Sequence, residues 1–191
     1  MKKAALTMLV VMMMAILTGC INQANGLILY GDEAKLKQVA ETYKEDIKSQ
    51  KMYNVKKVST QGKEVIVLSE TTARELIRME LWNEVKNNTQ LSILKGMPTI
   101  RNESGLLFAK PEDKHIQLEG LDLSYEGNCV IGDSRRYTDA YVVVKDSTFE
   151  TIKGTMKQMK VLHTKKSMDK ELVNIKDYTD AFQLVTLTEI E

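Results

Sequence analysis

The sequence contains few of the residues on which metal sites and disulfides depend. Its 191 residues include only two cysteines, two histidines and two prolines. His115 and His163 have no further histidine or cysteine at a helical or turn spacing typical of ligands, whereas a zinc site takes three or four ligating groups. The sequence therefore predicts no bound metal.

Motifs for binding phosphate groups and for common hydrolases are also missing. Neither a P-loop nor a dinucleotide fingerprint can be written anywhere, and no Gly-x-Ser-x-Gly elbow is present. The chain has 27 basic and 26 acidic residues, whereas nucleic-acid-binding domains usually have a strong basic excess. We therefore expect no cofactor and no nucleic-acid partner.

The first twenty residues are the most informative stretch of the chain. Lys2 and Lys3 precede an uncharged, almost wholly apolar run over residues 4–17. This run is shorter than the roughly 20 apolar residues of a membrane-spanning helix, but it suits the core of a signal peptide. It ends in Leu17-Thr18-Gly19-Cys20, which resembles the lipobox of bacterial lipoproteins.

This resemblance implies that Cys20 carries a diacylglycerol and that residues 1–19 are removed as a signal peptide. Because two or more acyl chains anchor a protein stably, the mature chain would lie on the extracytoplasmic face of the cell membrane. An ordinary secretory signal or an uncleaved anchor is the alternative. Residues 20–26 would form a short tether, since six extended residues reach about 20 Å.

After removal of the leader, 172 residues remain, with 25 basic and 26 acidic side chains. Cys129 is then the only cysteine besides Cys20, so no intramolecular disulfide is expected. The length suits one ordinary domain or two small ones. A lipid-anchored globular protein without disulfide crosslinks is therefore predicted.

The patterns of the mature chain predict an α+β fold with a mixed or antiparallel sheet and about three helices. Residues 27–95 read as a first half of order β-α-β-β-α: a strand at 27–30, a helix from Asp32 to about Lys48, a hairpin turning at residues 61–63, and a helix opened by the capping box Thr72-x-x-Glu75 and ending near residue 87. Residues 96–111 contain both prolines and form either a linker or a hairpin inside one domain, 27–191.

Residues 112–191 read as a β-rich second half with one helix. Strands are predicted around 116–125, with a bulge at 119–120, and at 129–131, 140–145 and 181–190. The capping box Ser147-x-x-Glu150 predicts a helix with Phe149, Ile152, Met156 and Met159 on one face. Residues 161–175 either extend this helix to His163 or form a hairpin.

Cys129 raises the hypothesis of a thiol hydrolase of cell wall or peptides. Its order in the chain, before His163 and before Asn174 or Asp177, is that of papain-like and NlpC/P60-like enzymes. However, their nucleophile lies at a helix N-terminus, which lowers the pKa of the thiol. Residues 128–132 read as a strand, which favours a buried, apolar role for Cys129.

Two stretches are typical of binding surfaces. Arg135, Arg136 and Tyr137 fall in a predicted loop, where arginine and tyrosine often act as recognition anchors. Lys153, Lys157 and Lys160 would share one side of the third helix, where they could contact anionic lipid or wall polymer. The alternative for the lysines is an ordinary solvated helix face.

These observations predict a membrane-anchored lipoprotein that acts as a non-enzymatic binding or accessory module of the cell envelope. Its partner would be an envelope protein, a peptide or an anionic polymer. The Cys129-dependent hydrolase is one alternative. A structural or exclusion factor without a small ligand is the other.

Overall fold

The structure is a computed structural model that describes residues 24–87 and 90–188. Cys20, the leader and most of the predicted tether lie outside these residues. In the part that is described, the strands are β1 (Gly26–Gly31), β2 (Ile47–Thr60), β3 (Lys63–Ser69), β4 (Trp82–Lys86), β5 (Gln90–Ile93), β6 (Ser104–Ala109), β7 (Asp122–Gly127), β8 (Cys129–Ile131), β9 (Ala140–Val144), β10 (Thr155–Thr164) and β11 (Ala181–Val185).

The α-helices of the described part are short. They are α1 (Glu33–Thr42), α2 (Glu70–Arg78), α3 (Asp146–Thr151) and α4 (Leu172–Ile175). Single 3₁₀ turns at Lys44–Asp46, Pro111–Asp113, Asp169–Glu171 and Lys176–Tyr178 join some of these elements. The prediction of an α+β fold is confirmed, with strand content exceeding helix.

The strands form one large mixed sheet and one small sheet. The large sheet has the order β11-β1-β10-β2-β3-β9-β6-β7, in which the β3–β9 and β6–β7 pairs are parallel and the other pairs antiparallel. The small antiparallel sheet has the order β5-β4-β8. Strands from residues 27–95 and from residues 112–191 thus lie side by side in the large sheet.

The main hydrophobic core lies between one face of the large sheet and the small sheet with α2. Alternate residues of the central strands, such as Val55, Ile66 and Met159, point into it, together with Trp82 and Leu76. The opposite face carries two separate clusters, one under α3 around Phe149 and one under α1 and α4 around Leu36. Burial on both faces explains the nearly continuous apolar runs in β1 and β9.

In the first half, the local signals predict the position of the hairpin correctly but the ends of the helices incorrectly. The hairpin turns at Gln61 and Gly62, both of which adopt positive φ. The first helix ends at Thr42 rather than near Lys48, because residues 47–60 are taken into β2 between β10 and β3. Ile47 has the spacing of a residue on the apolar face of the predicted helix. Pairing of β2 with a strand on each side determines its conformation instead.

The second helix was also predicted too long. It is capped by Ser69, whose Oγ accepts from the Thr72 amide at 3.2 Å, rather than by a box starting at Thr72. It ends at Arg78, and Glu80 then takes a φ of +56°. Residues 82–86 leave the helix to pair with β5 and β8.

In the second half, the predicted helix through Met159 was wrong beyond residue 151. Residues 155–164 form β10, which pairs with β1 on one side and β2 on the other. Met159 and Val161 therefore face the main core, while Lys160 and Leu162 face the opposite side. The hairpin proposed for residues 161–175 is also wrong, because Leu172–Ile175 is helical.

Two further strand predictions need correction. Residues 116–121 are irregular, with a turn at 119–120, rather than a bulged strand, and Gly120 has a φ of +78°. The last strand, β11, ends at Val185. The predicted strands at 129–131 and 140–145 match β8 and β9 closely.

Candidate binding surfaces at the two ends of strand β1

A loop of residues 132–139, here called the distal loop, joins β8 to β9. Its first residue, Gly132, has a φ of +72°, and a Cβ there would come within 2.6 Å of Gln183 Oε1. Gln183 Nε2 donates to Ile131 O at 2.8 Å, and its Oε1 accepts from the Asp133 amide at 3.3 Å. Glycine is thus required where the loop packs on the edge strand β11.

Arg135 fixes the middle of the distal loop from inside. Its Nη2 lies 2.6 Å from both Asn128 Oδ1 and the Cys129 carbonyl oxygen. Its Nε is buried and has no hydrogen-bond partner among the described residues. Burial lowers the pKa of this guanidinium. Arg135 therefore anchors the loop instead of extending into solvent.

Arg136 and Tyr137 form the outer part of the loop. Arg136 is exposed, and its Nε donates to Ser134 Oγ at 3.2 Å. The Tyr137 ring stacks on Tyr30 with centroids 4.9 Å apart, and Lys57 Nζ lies 4.8 Å from its centroid. These contacts hold the half-buried Tyr137 ring in a fixed orientation.

Asp180 connects Tyr137 to Lys157. Tyr137 Oη donates to Asp180 Oδ2 at 2.7 Å, and Lys157 Nζ lies 2.9 Å from the same oxygen and 2.7 Å from Asp32 Oδ1. Partial burial acts to raise the pKa of Asp180, but the hydrogen bonds from Lys157 and Tyr137 outweigh it, and this pKa is lowered. Hydrogen bonds to Asp32 and Asp180 raise the pKa of Lys157.

The structure brings Tyr137 and Lys157 together but separates the other two lysines from them. The predicted helix face of three lysines does not exist, because Lys157 and Lys160 lie on β10. Lys153 is exposed in the turn before β10. Lys160 is only 4% exposed, has no ion-pair partner among residues 24–87 and 90–188, and has its pKa lowered by burial and by Lys37.

Cys129 lacks the environment that a thiol nucleophile needs. It lies in β8 with 1% of its surface exposed, and burial, with a contribution from Glu84, raises the pKa of its thiol to about 12. His163 lies on β10 opposite Gly26, and Asn174 and Asp177 are exposed around α4. A buried thiol with a raised pKa is a poor nucleophile, which argues against the hydrolase hypothesis.

The end of β1 opposite the distal loop carries a cleft that the sequence did not reveal. This proximal cleft has a volume of about 300 Å³ and is lined in part by Lys51, Arg78, Met79, Val161, His163 and Leu187. These residues come from β2, the C-terminus of α2, β10 and the segment after β11. Because they are far apart in sequence and form no motif, no local signal could have found the cleft.

The two surfaces lie at opposite ends of one strand. At the start of β1, Gly26 pairs with His163, a residue of the proximal cleft. At its other end, Tyr30 stacks on Tyr137 of the distal loop. The four residue steps from Gly26 to Tyr30 correspond to about 13 Å along the strand.

The described residues contain no group of three or more histidine, cysteine or acidic residues that is arranged to hold a metal ion. Within that same part of the chain, no helix is long and apolar enough to cross a membrane.

Comparison with known proteins gives the chain a family. The model of a family described as an uncharacterised lipoprotein family matches residues 24–188. A crystal structure described as that of a "putative lipoprotein from Bacillus anthracis" is similar, with 31% sequence identity and a TM-score of 0.81, and the alignment covers 86% of this chain and 100% of that one. No curated protein matches the chain. Because the family model spans the whole of the fold described above, the chain belongs to this uncharacterised lipoprotein family.

Proposed function

We propose that the protein is anchored through a lipid on Cys20 to the extracytoplasmic face of the cell membrane, where it acts as a non-enzymatic binding or accessory module. Membership of a lipoprotein family and the lipobox-like Leu17-Thr18-Gly19-Cys20 support the anchor. The distal loop would be the surface that meets the partner.

The observation that carries this proposal is the position of the chain's entry relative to the distal loop. Asn25 lies beside His163 at the start of β1, and Tyr137 lies at the other end of that strand. A lipid five residues before Asn25 would hold the first end near the bilayer. The distal loop then points away from the membrane, where an envelope partner can reach it.

The charges around the distal loop favour a protein or peptide over an anionic polymer. Lys157 is neutralised by two carboxylates, and Asp133 is exposed beside Arg136. A surface of alternating sign offers no field that would attract a uniformly anionic chain. Arg136 and the half-buried Tyr137 instead provide the planar donor and aromatic face that are enriched at protein interfaces.

The anchor is tested by the intact mass of the protein isolated from membranes. The wild-type chain is expected to have lost residues 1–19 and gained a diacylglycerol, while Cys20→Ala keeps its leader and gains no lipid. A wild-type chain that matures without added lipid would disprove the anchor.

The binding surface is tested by placing a photoreactive amino acid at Arg136 in cells that produce the full chain. The matched control position is Val173, which is 65% exposed near α4. We expect a discrete adduct from position 136 that the control does not give and that Tyr137→Ala reduces. The same adducts from both positions, or turnover of wall or peptide substrates by the wild-type chain, would contradict the proposal.

A further inference from the structure

The chain enters the fold at the edge of the proximal cleft. Asn25 Nδ2 donates to the Leu187 carbonyl at 3.0 Å, and the Leu187 amide donates to Asn25 Oδ1 at 2.7 Å. Asn25 Nδ2 also lies 3.5 Å from His163 Nε2. Leu187 and His163 both line the cleft, so the position of Asn25 sets the position of the cleft.

The distance from this entry point to the membrane follows from the number of residues before it. Asn25 is five residue steps after Cys20, and five extended steps span about 17 Å at most. If Cys20 is lipidated, as the proposed function states, the cleft stays within that reach of the lipid. The headgroup region of the bilayer is the surface closest to it.

The cleft combines apolar walls with two cations. Met79, Val161 and Leu187 provide the apolar part of the lining. Lys51 Nζ and Arg78 Nη2 lie 3.1 and 3.6 Å from the same Glu75 oxygen. Glu75 occupies only part of the hydrogen-bonding capacity of these two groups, because an ammonium has three N–H donors and a guanidinium has five, so both cations can contact a further anion.

An acidic residue also stands near this opening. Glu80 Oε2 accepts a hydrogen bond from Thr188 Oγ1 at 2.6 Å, and Thr188 lines the cleft. The cleft therefore has little net charge, and a highly charged anion would gain little from long-range attraction. A lipid with a single phosphodiester and an apolar chain fits this cleft better. The two cations can contact the phosphate at short range, and the apolar side chains can contact the chain.

We propose that the proximal cleft binds a phospholipid of the membrane to which the chain is tethered. The phosphate lies between Lys51 and Arg78, and the first methylenes of one acyl chain lie against Met79, Val161 and Leu187. A volume of about 300 Å³ accommodates a headgroup and the start of a chain rather than a whole lipid. The remainder of the lipid stays in the bilayer, and the cleft fixes the orientation of the domain on the membrane.

The test uses the full chain, purified from membranes and reconstituted in nanodiscs of phosphatidylethanolamine and phosphatidylglycerol. A small fraction of the phospholipid carries a diazirine near the top of one acyl chain. After irradiation, mass spectrometry is expected to locate the crosslinks in peptides that contain Met79, Val161 or Leu187. Crosslinks confined to the distal loop would overturn the proposal.

Matched double variants separate a specific site from mere proximity to lipid. Lys51→Gln combined with Arg78→Gln is expected to reduce crosslinking at the cleft at least fivefold. Lys35→Gln combined with Arg101→Gln removes the same charge at exposed positions outside the cleft and should leave crosslinking unchanged. Equal effects of the two variants, or full competition by inorganic phosphate alone, would refute binding of a phospholipid in the cleft.

The intact mass of the same sample keeps the two proposals distinct. A chain that carries lipid on Cys20 but shows no crosslink at the cleft disproves the lipid site and leaves the anchor in place. A chain without lipid on Cys20 disproves the anchor, whatever the positions of the crosslinks.

Discussion

Lys56 offers a direct test of how the connection between β9 and β10 is stabilised. This lysine lies in β2 and is only 6% exposed. Its Nζ donates to the carbonyl oxygens of Phe149, Glu150 and Ile152 at 2.6, 3.0 and 2.8 Å, and it lies 5.0 Å from the centroid of the Phe149 ring. The last carbonyls of a helix have no partner within it. Lys56 supplies one for the end of α3.

The substitution Lys56→Met keeps the apolar stem and removes the ammonium group. Each hydrogen bond to a charged group contributes about 1.5–3 kcal/mol, and a cation at a helix C-terminus adds about 0.3–1 kcal/mol. The three bonds are not additive, and exposed Glu150 can bind water in the variant. We therefore expect the free energy of unfolding to fall by about 3 kcal/mol, which lowers the Tm by about 6–12 °C in a domain of this size.

The measurement is urea denaturation followed by the fluorescence of Trp82, the single, fully buried tryptophan. Lys57→Met is the matched control, because Lys57 lies next in the strand and makes a partly exposed ion pair with Glu64 at 3.2 Å. Such pairs contribute about 0–1 kcal/mol. If Lys56→Met costs no more than Lys57→Met, the reasoning about the helix end is wrong.

Four further predictions concern the distal loop, the thiol and a turn. Gly132→Ala should destabilise the fold by about 1–2 kcal/mol, because its φ is +72° and its Cβ would strike Gln183; hydrogen exchange across the loop should rise. Asp180 has a lowered pKa, so its contribution is complete above the ordinary pKa of a carboxyl group and is lost as the pH falls through the folded pKa; Asp180→Asn should therefore destabilise the chain at pH 7, and this effect should shrink as the pH is lowered. The Cys129 thiol, with its pKa raised to about 12, should react with Ellman's reagent at pH 8 only after denaturation. Gln61→Asn should stabilise the hairpin by about 0.5 kcal/mol, because Asn-Gly suits a turn with two positive φ values.

Each of these predictions has an outcome that would contradict it. Unchanged stability of Gly132→Ala would show that the loop tolerates a side chain there. A stability difference for Asp180→Asn that persists at pH 2 would exclude titration of the carboxylate as its origin. Rapid labelling of native Cys129 would contradict its burial. A loss of stability in Gln61→Asn would mean that the wild-type side chain makes a contact that matters more than the turn.

The sequence predicted features that depend on neighbouring residues and missed those set by distant ones. The turn at residues 61–62 is a local preference, and the structure has it. The ends of α1 and α2 depend on the pairing of β2 with β10 and of β4 with β8, and both partners come from the second half of the chain. Hydrophobic spacing at Met156 and Met159 fits a helix, but hydrogen bonding to a strand on each side determines the outcome.

The candidate surfaces show the same contrast between features set by neighbouring residues and features set by distant ones. Polar and glycine residues at 132–136 marked a loop, and the structure places a loop there. That Arg135 turns inward could not be foreseen, because its acceptor at Cys129 is a backbone oxygen. The proximal cleft forms only when four separate segments meet.

The place of β10 in the sheet also bears on how the protein is made. β1 and β2 both run along β10 and have no direct pairing with each other. The 94 residues from 61 to 154 therefore separate the end of β2 from the strand that joins these two pieces. Contacts between residues so far apart in sequence slow folding. Until β10 has been synthesised and has paired, one edge of β1 and one edge of β2 remain open to pairing with other chains, and the newly made protein must be protected from association for that interval.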